Sequence, residues 1–162
     1  MPRKLDRFDI ALLNLLQANN IATAEELARE VALSPSAITR RIRRLRDDGC
    51  IAADTAILAA ALTEGRLRAV IHVQANEHAE EKGLAHLRAR LAATEEVQLL
   101  LDVSGSFDLL VLAVTRDMAA FNAFTDAYLA CDPAVRRYET SFVKKEVKNA
   151  PRIRLDERDA EP

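Results

Sequence analysis

Five arginines, Arg40, Arg41, Arg43, Arg44 and Arg46, fall within residues 34–46 of this 162-residue chain, with no acid among them until Asp47. Guanidinium groups at that density suit the neutralisation of nucleic-acid phosphates. The plainer alternative is a solvated helix face, but such faces normally interleave acids at i,i+4. The remaining reactive side chains are scattered. His72, His78 and His86 have no partner spacing that suggests zinc. Cys50 and Cys131 form no CxxC pair and are too few for a disulfide framework. No clustered acid–base pair stands out, so neither metal, cofactor nor catalytic residue is assigned.

The formal net charge of −2, from 23 basic and 25 acidic groups, looks unfavourable for a polyanionic partner. Its distribution reverses that impression. Residues 1–50 hold 9 of the basic and 7 of the acidic groups, a local +2, which leaves −4 for the rest. An acidic body would then repel DNA and leave the basic head as the contact surface. With 49% hydrophobic and 30% charged residues the composition is that of a globular protein. Apolar stretches such as 56–62 fall far short of the ~20 residues of a membrane span. Met1-Pro2-Arg3-Lys4 opens no apolar signal core, and a cytoplasmic location is expected.

Elements that would position the arginines can be read from caps and periodicity. Asp6 with Asp9 is a weak capping box ahead of Leu12, Leu13 and Leu16. Thr23 with Glu26 is a stronger one, followed by Leu27, Ala28 and Val31. Ser34-Pro35 starts a third helix that ends at Gly49. Only Ala32-Leu33-Ser34 separates the second and third helices, which makes a helix-turn-helix. Ile38, Ile42 and Leu45 mark the buried side of the third helix, and Ser36, Arg40 and Arg43 project opposite. Thr39, Arg44 and Arg46 lie on the flanks, and Arg41 sits nearer the core edge. Ser36, Arg40 and Thr39 are the candidates for base edges, and the other arginines for phosphates. Arg41 has the alternative of tying the helix to the first two.

From residue 67 the period changes. Leu67, Ala69, Ile71 and Val73 alternate as in a half-buried strand, and Leu84, Leu87 and Leu91 recur at helical spacing. Val97, Leu99, Leu101 and Val103 alternate again. Residues 104–107 turn into a strand at 109–115, and read alone Gly105 and Asp108 are ordinary turn residues. Asp117 caps a helix with Met118, Phe121, Phe124 or Thr125, and Tyr128 inward. After Pro133, residues 135–147 read as one long last strand. The order βαββαβ is ferredoxin-like. The expected class is α+β: a three-helix helix-turn-helix domain over 1–51, a linker strand and turn over 52–65, and a ferredoxin-like domain over 66–150. A charged tail, 151–162, is expected to fray.

Taken together these residues resemble the Lrp/AsnC (feast/famine) family of transcription regulators across roughly 5–155. The likeness rests on Leu5-Asp6 with Asp9, Glu26-Leu27-Ala28, Leu33-Ser34-Pro35-Ser36, Arg41-Ile42 with Leu45, and Gly49-Cys50-Ile51. In the second half it rests on Val103-Ser104-Gly105-Ser106-Phe107-Asp108, Asp117-Met118 and Glu146-Val147-Lys148. Asn20-Ile21, Arg46, and Tyr138-Glu139-Thr140 depart from the family pattern. The resemblance implies double-stranded DNA as partner, read by Ser34, Ser36, Thr39, Arg40, Arg41, Arg43, Arg44 and Arg46. It also implies a homodimer that assembles into tetramers or octamers, and an amino acid or related effector at contacts between dimers. Its candidate ligands are Ser104, Gly105, Phe107 and Asp108 on the turn, with Tyr138 and Thr140 opposite. Backbone N–H groups beside a glycine can take a carboxylate, and Asp108 an ammonium group. Tyr138 would narrow or close that pocket. Two other readings share the architecture: a sirohaem-decarboxylase-like enzyme that uses its histidines, and an architectural DNA-binding protein without effector.

Overall fold

The computed structural model describes residues 4–76 and 81–160. Residues 1–3, which open the N-terminal reading above, and His78 lie outside the described residues. The chain divides into two compact units. One takes in the sequence as far as Ile57 together with the segment from Lys148 onward, and the other is Leu58–Val147.

The first unit holds α1 (Arg7–Ala18), α2 (Ala24–Glu30) and α3 (Pro35–Asp47). Each begins where its side chains supply acceptors for unpaired backbone donors. Asp6 and Asp9 form a complete capping box on α1, and Thr23 and Glu26 form another on α2. Ser34 Oγ accepts from the Ala37 N–H at 3.3 Å, with Pro35 at the first helical position of α3. Leu12, Leu16, Leu27, Val31, Ile38 and Ile42 make the shared core. The end of α3 needs a residue with φ of +73°, which Gly49 provides. After it, residues 52–59 form no helix or strand, and a single 3₁₀ turn, Ala60–Leu62, follows. The expected linker strand is thus not formed, because no neighbouring strand pairs with it.

The second unit is a four-stranded antiparallel sheet with helices on one face. Its elements are β1 (Leu67–Ala75), α4 (Glu81–Ala92), β2 (Val97–Asp102), β3 (Leu109–Thr115), α5 (Met118–Thr125) and β4 (Val135–Phe142). The strand order is β2-β3-β1-β4, the ferredoxin-like arrangement. α5 runs on into a π-helical turn, Asp126–Ala130. Arg90 fastens that turn, donating to the Ala127 carbonyl at 2.7 Å and pairing with Asp132 at 2.8 Å. The covered face carries Ala69, Ile71, Val73, Leu109, Val111 and Ala113, against Leu87, Leu91, Phe121, Phe124 and Leu129 from the helices.

Three features differ from the sequence expectation. β4 ends at Phe142, five residues before the expected 147. Met118 lies at the exposed start of α5 and outside its core. In β2 the register shifts between Val97 and Leu99, so Leu100 lies opposite Val111 on the covered face while Leu99 and Leu101 face out. A bulge inserts one residue and inverts the alternation beyond it. The open face therefore shows Leu99 and Leu101 beside half-buried Val70, Leu110, Leu112 and Val114.

Candidate nucleic-acid interface and ligand turn

The five arginines of α3 divide by the acids that reach them. Asp9, on α1 and almost fully buried, accepts from Arg41 Nη1 at 2.8 Å and from Arg44 Nη2 at 3.0 Å through both oxygens. Arg41 also pairs with Asp6 at 2.7 Å. Burial raises the Asp6 carboxyl, but the Asp9 backbone N–H and the Arg41 guanidinium outweigh it and leave the group below the usual carboxylate range. The same bonds, from Asp6 and then Asp9, raise Arg41 further. Arg46 pairs with Asp54 at 2.8 Å, beyond the end of the helix, and that bond, with one from Asn20, lowers the Asp54 carboxyl.

Arg40 and Arg43 remain toward solvent. Arg43 is 85% exposed and, among the described residues, pairs with Asp47 at 3.9 Å, an i,i+4 acid just past the run. Arg40 is exposed and has no ion pair among the described residues. Beside them stand Ser34, Ser36 and Thr39. The two serine hydroxyls are 3.2 Å apart, and Thr39 donates to the Pro35 carbonyl at 3.0 Å. Of the sequence candidates, Ser34, Ser36, Thr39, Arg40 and Arg43 therefore form one outward surface. Arg41 and Arg44 do not join it, because a buried carboxylate on α1 holds them. Asp9 reads from sequence as a capping residue; its pairing with Arg41 and Arg44 is visible only once α1 and α3 pack.

On the sheet, Ser104, Gly105, Phe107 and Asp108 come together where β2 turns into β3. Gly105 has φ of +133°, and no atom lies within 4 Å of where a Cβ would sit, so the backbone there is open to approach. Asp108 is fastened to β1: its N–H donates to the Val73 carbonyl at 2.9 Å, and Oδ2 accepts from the Ala75 N–H at 2.7 Å. The second carboxylate oxygen makes no further bond among the described residues. Phe107 lies 5.2 Å from the His72 ring, with the Arg137 guanidinium 5.4 Å from its centroid.

Tyr138 and Thr140 are not gathered with this turn within one protomer. By register they lie opposite Val73 and Ile71, which puts them on the helix-covered face. Tyr138 packs against the core, and Thr140 Oγ1 is buried without a hydrogen-bond partner. Arg137, which the sequence reading passed over, lies by strand alternation on the side of the turn; it donates to Gln74 Oε1 at 2.8 Å and pairs with Glu139 at 3.0 Å. His72 and exposed His86 stand on opposite layers, on β1 and α4. Among the described residues no group of histidines, cysteines and acids could hold a metal ion.

Comparison with known proteins fits both halves. Residues 5–52 match the family model for a winged helix-turn-helix DNA-binding domain, and residues 68–153 match the Lrp/AsnC ligand binding domain. An uncharacterized HTH-type transcriptional regulator of Sinorhizobium fredii is 34% identical over 145 residues, 90% of this chain and 85% of that protein. The leucine-responsive regulatory protein of Escherichia coli is 31% identical over 151 residues, 93% of this chain and 92% of that one. A transcriptional regulator of Neisseria meningitidis, solved in complex with L-methionine, superposes with a TM-score of 0.80 at 33% identity, covering 94% of this chain and 96% of that one. A basic helix-turn-helix head followed by a four-stranded sensing sheet, matched along nearly its whole length, places the chain in the Lrp/AsnC family of transcriptional regulators.

Proposed function

We propose that this regulator reads duplex DNA with Ser36, Thr39, Arg40 and Arg43 of α3, and that an amino acid tunes its binding at the turn over residues 104–108. The observation that carries the DNA reading is the partition of the arginines. Asp9 locks Arg41 and Arg44 into the head, and Arg40 and Arg43 are left toward solvent on the side opposite the buried stripe. Arg43, beside the exposed helix surface, neutralises phosphate, while Arg40 and Ser36 are nearer the N-terminal half that enters a groove. Arg41, Arg44 and Arg46 act in this reading by holding the helix.

The methionine complex of the Neisseria relative supports an amino-acid effector. An open glycine backbone beside a carboxylate with one oxygen uncommitted among the described residues offers the two complementary charges an amino acid requires. Arg137 adds a cation beside the turn. Tyr138 and Thr140 enter such a site only through a neighbouring copy or a shift of β4. The open sheet face, with Leu99 and Leu101 both 43% exposed, supports pairing of two copies and larger assemblies built from that dimer. We read the protein as a cytoplasmic binder and assign it no catalytic step, since the relatives are regulators and its described histidines do not converge. Among the described residues no helix is long and apolar enough to cross a membrane.

The test is a salt series of duplex binding with and without L-methionine. Affinity that falls with salt, and shifts when L-methionine is added, supports the reading. Salt-independent or absent duplex binding defeats it.

A further inference from the structure

Two residues of the charged tail make backbone hydrogen bonds to α1. Ile153 and Leu155 are held on α1 by two side-chain amides that each make a donor–acceptor pair with the backbone. Gln17 Nε2 donates to the Ile153 carbonyl at 2.9 Å while Oε1 accepts from the Ile153 N–H at 2.8 Å. Asn14 does the same for Leu155, at 2.9 and 3.0 Å. Residues i and i+3 of a helix thereby act as the neighbouring strand of an extended peptide, and satisfy donors and acceptors on one edge. Beyond them a 3₁₀ turn, Glu157–Ala160, begins where the Asp156 carboxylate accepts from the Arg158 N–H at 2.8 Å. Leu13 and Leu16 of α1 line a groove of about 620 Å³ with Ile153 and Leu155.

We propose that residues 151–160 are a latch that belongs to the DNA-reading head and sets how firmly α3 is presented. The argument runs through α1. Asn14 and Gln17 grip the latch, and Asp9, five residues before Asn14 on the same helix, grips Arg41 and Arg44 of α3. One helix thus holds the tail with its second half and the DNA-reading helix with its first. The latch is also the direct continuation of β4 by way of residues 143–150. The sensing unit is therefore joined to the head at both of its ends, by residues 52–57 going in and by the latch coming back. Asn14 and Gln17 are positioning residues: they touch no DNA and act through α1. This inference rests on the DNA reading above for its affinity effect, though the latch itself stands on the hydrogen bonds.

Two variants and one measurement on the wild type test it. In Asn14→Leu with Gln17→Met, the size is nearly kept and no charge is added, but both the donor and the acceptor that each side chain offers the tail are lost. A second variant ends the chain at Ala150. In the wild type, the amides of Ile153 and Leu155 are expected to exchange with solvent at least about tenfold more slowly than in a free peptide. In the double variant that protection disappears. Both variants are expected to bind duplex on the order of tenfold more weakly; in the double variant, which alters no charged residue, the salt slope is unchanged because Arg40 and Arg43 are untouched. Free-peptide exchange at Ile153 and Leu155 in the wild type overturns the latch, as does unaltered duplex affinity in both variants. If the wild type binds no duplex, the DNA reading fails and so does the latch's role in affinity, while the exchange rates still report whether the tail is docked.

Discussion

At the scale of single residues, geometry divides a like-charged run into arginines held by Asp9 and arginines left toward solvent, and the proposed reading gives the two groups different roles. Arg43→Ala is expected to lower the slope of log affinity against log salt by about 1 per head, with little change in sequence preference. Arg40→Ala is expected to cost about 1–3 kcal/mol and to relax discrimination at the bases it reads. Duplex titrations over a salt series and a panel of site variants separate the two. Asp9→Asn should act differently again. It leaves Arg41 and Arg44 without their buried counter-charge and is expected to destabilise the head by about 3 kcal/mol, read by denaturant unfolding. The same clamp gives a pH dependence. Against the opposing effect of burial, Asp6 is held below its ordinary value by the Asp9 backbone N–H and Arg41, and Asp54 is held below its own by the Arg46 and Asn20 side chains. The folded head then binds fewer protons than the unfolded chain in the acid range, so its stability is fully present above about pH 4. It is lost as pH falls through the lowered values, and an acid titration of head stability followed by circular dichroism measures it.

At the scale of elements, what was legible in the sequence is what is local. Ser34-Pro35, Thr23 with Glu26, and Gly49 announce their helix ends because a cap is satisfied within three or four residues. Strands β1 and β3 keep a strict alternation and were equally plain. β2 was not, because its register shift is imposed by pairing to β3. The tail was not either: side-chain amides read its backbone, and charge composition carries no trace of that. The partition of the arginines depends on α1 packing beside α3, and the candidate ligands on β4 depend on which sheet face α4 and α5 cover. Ser34→Ala removes a local cap and is expected to cost about 1 kcal/mol, measured as a lowered midpoint of head unfolding.

At the scale of the molecule, the open sheet face and the divided charge suggest how copies share the work. Leu101→Arg places a charge in the middle of the exposed apolar face. Loss of assembly by light scattering, with the protein still folded, is the expected outcome. In the proposed reading α3 offers DNA chiefly Arg40 and Arg43, so one head makes few contacts and linked heads are expected to supply much of the affinity. Arg40→Ala in a dissociated protein should therefore be harder to detect than in the intact assembly.

The first unit is built from the two ends of the described chain, with the sensing sheet inserted between them. During synthesis the sensing sheet is made between α1 and the segment that α1 holds, so Asn14 and Gln17 wait for Ile153 and Leu155 until that sheet has emerged. A copy cut short before Ile153 would carry the proposed DNA-reading helix with its support unfinished. Such a copy is expected to compete poorly for the operator, because in this reading the head is finished only after the sheet.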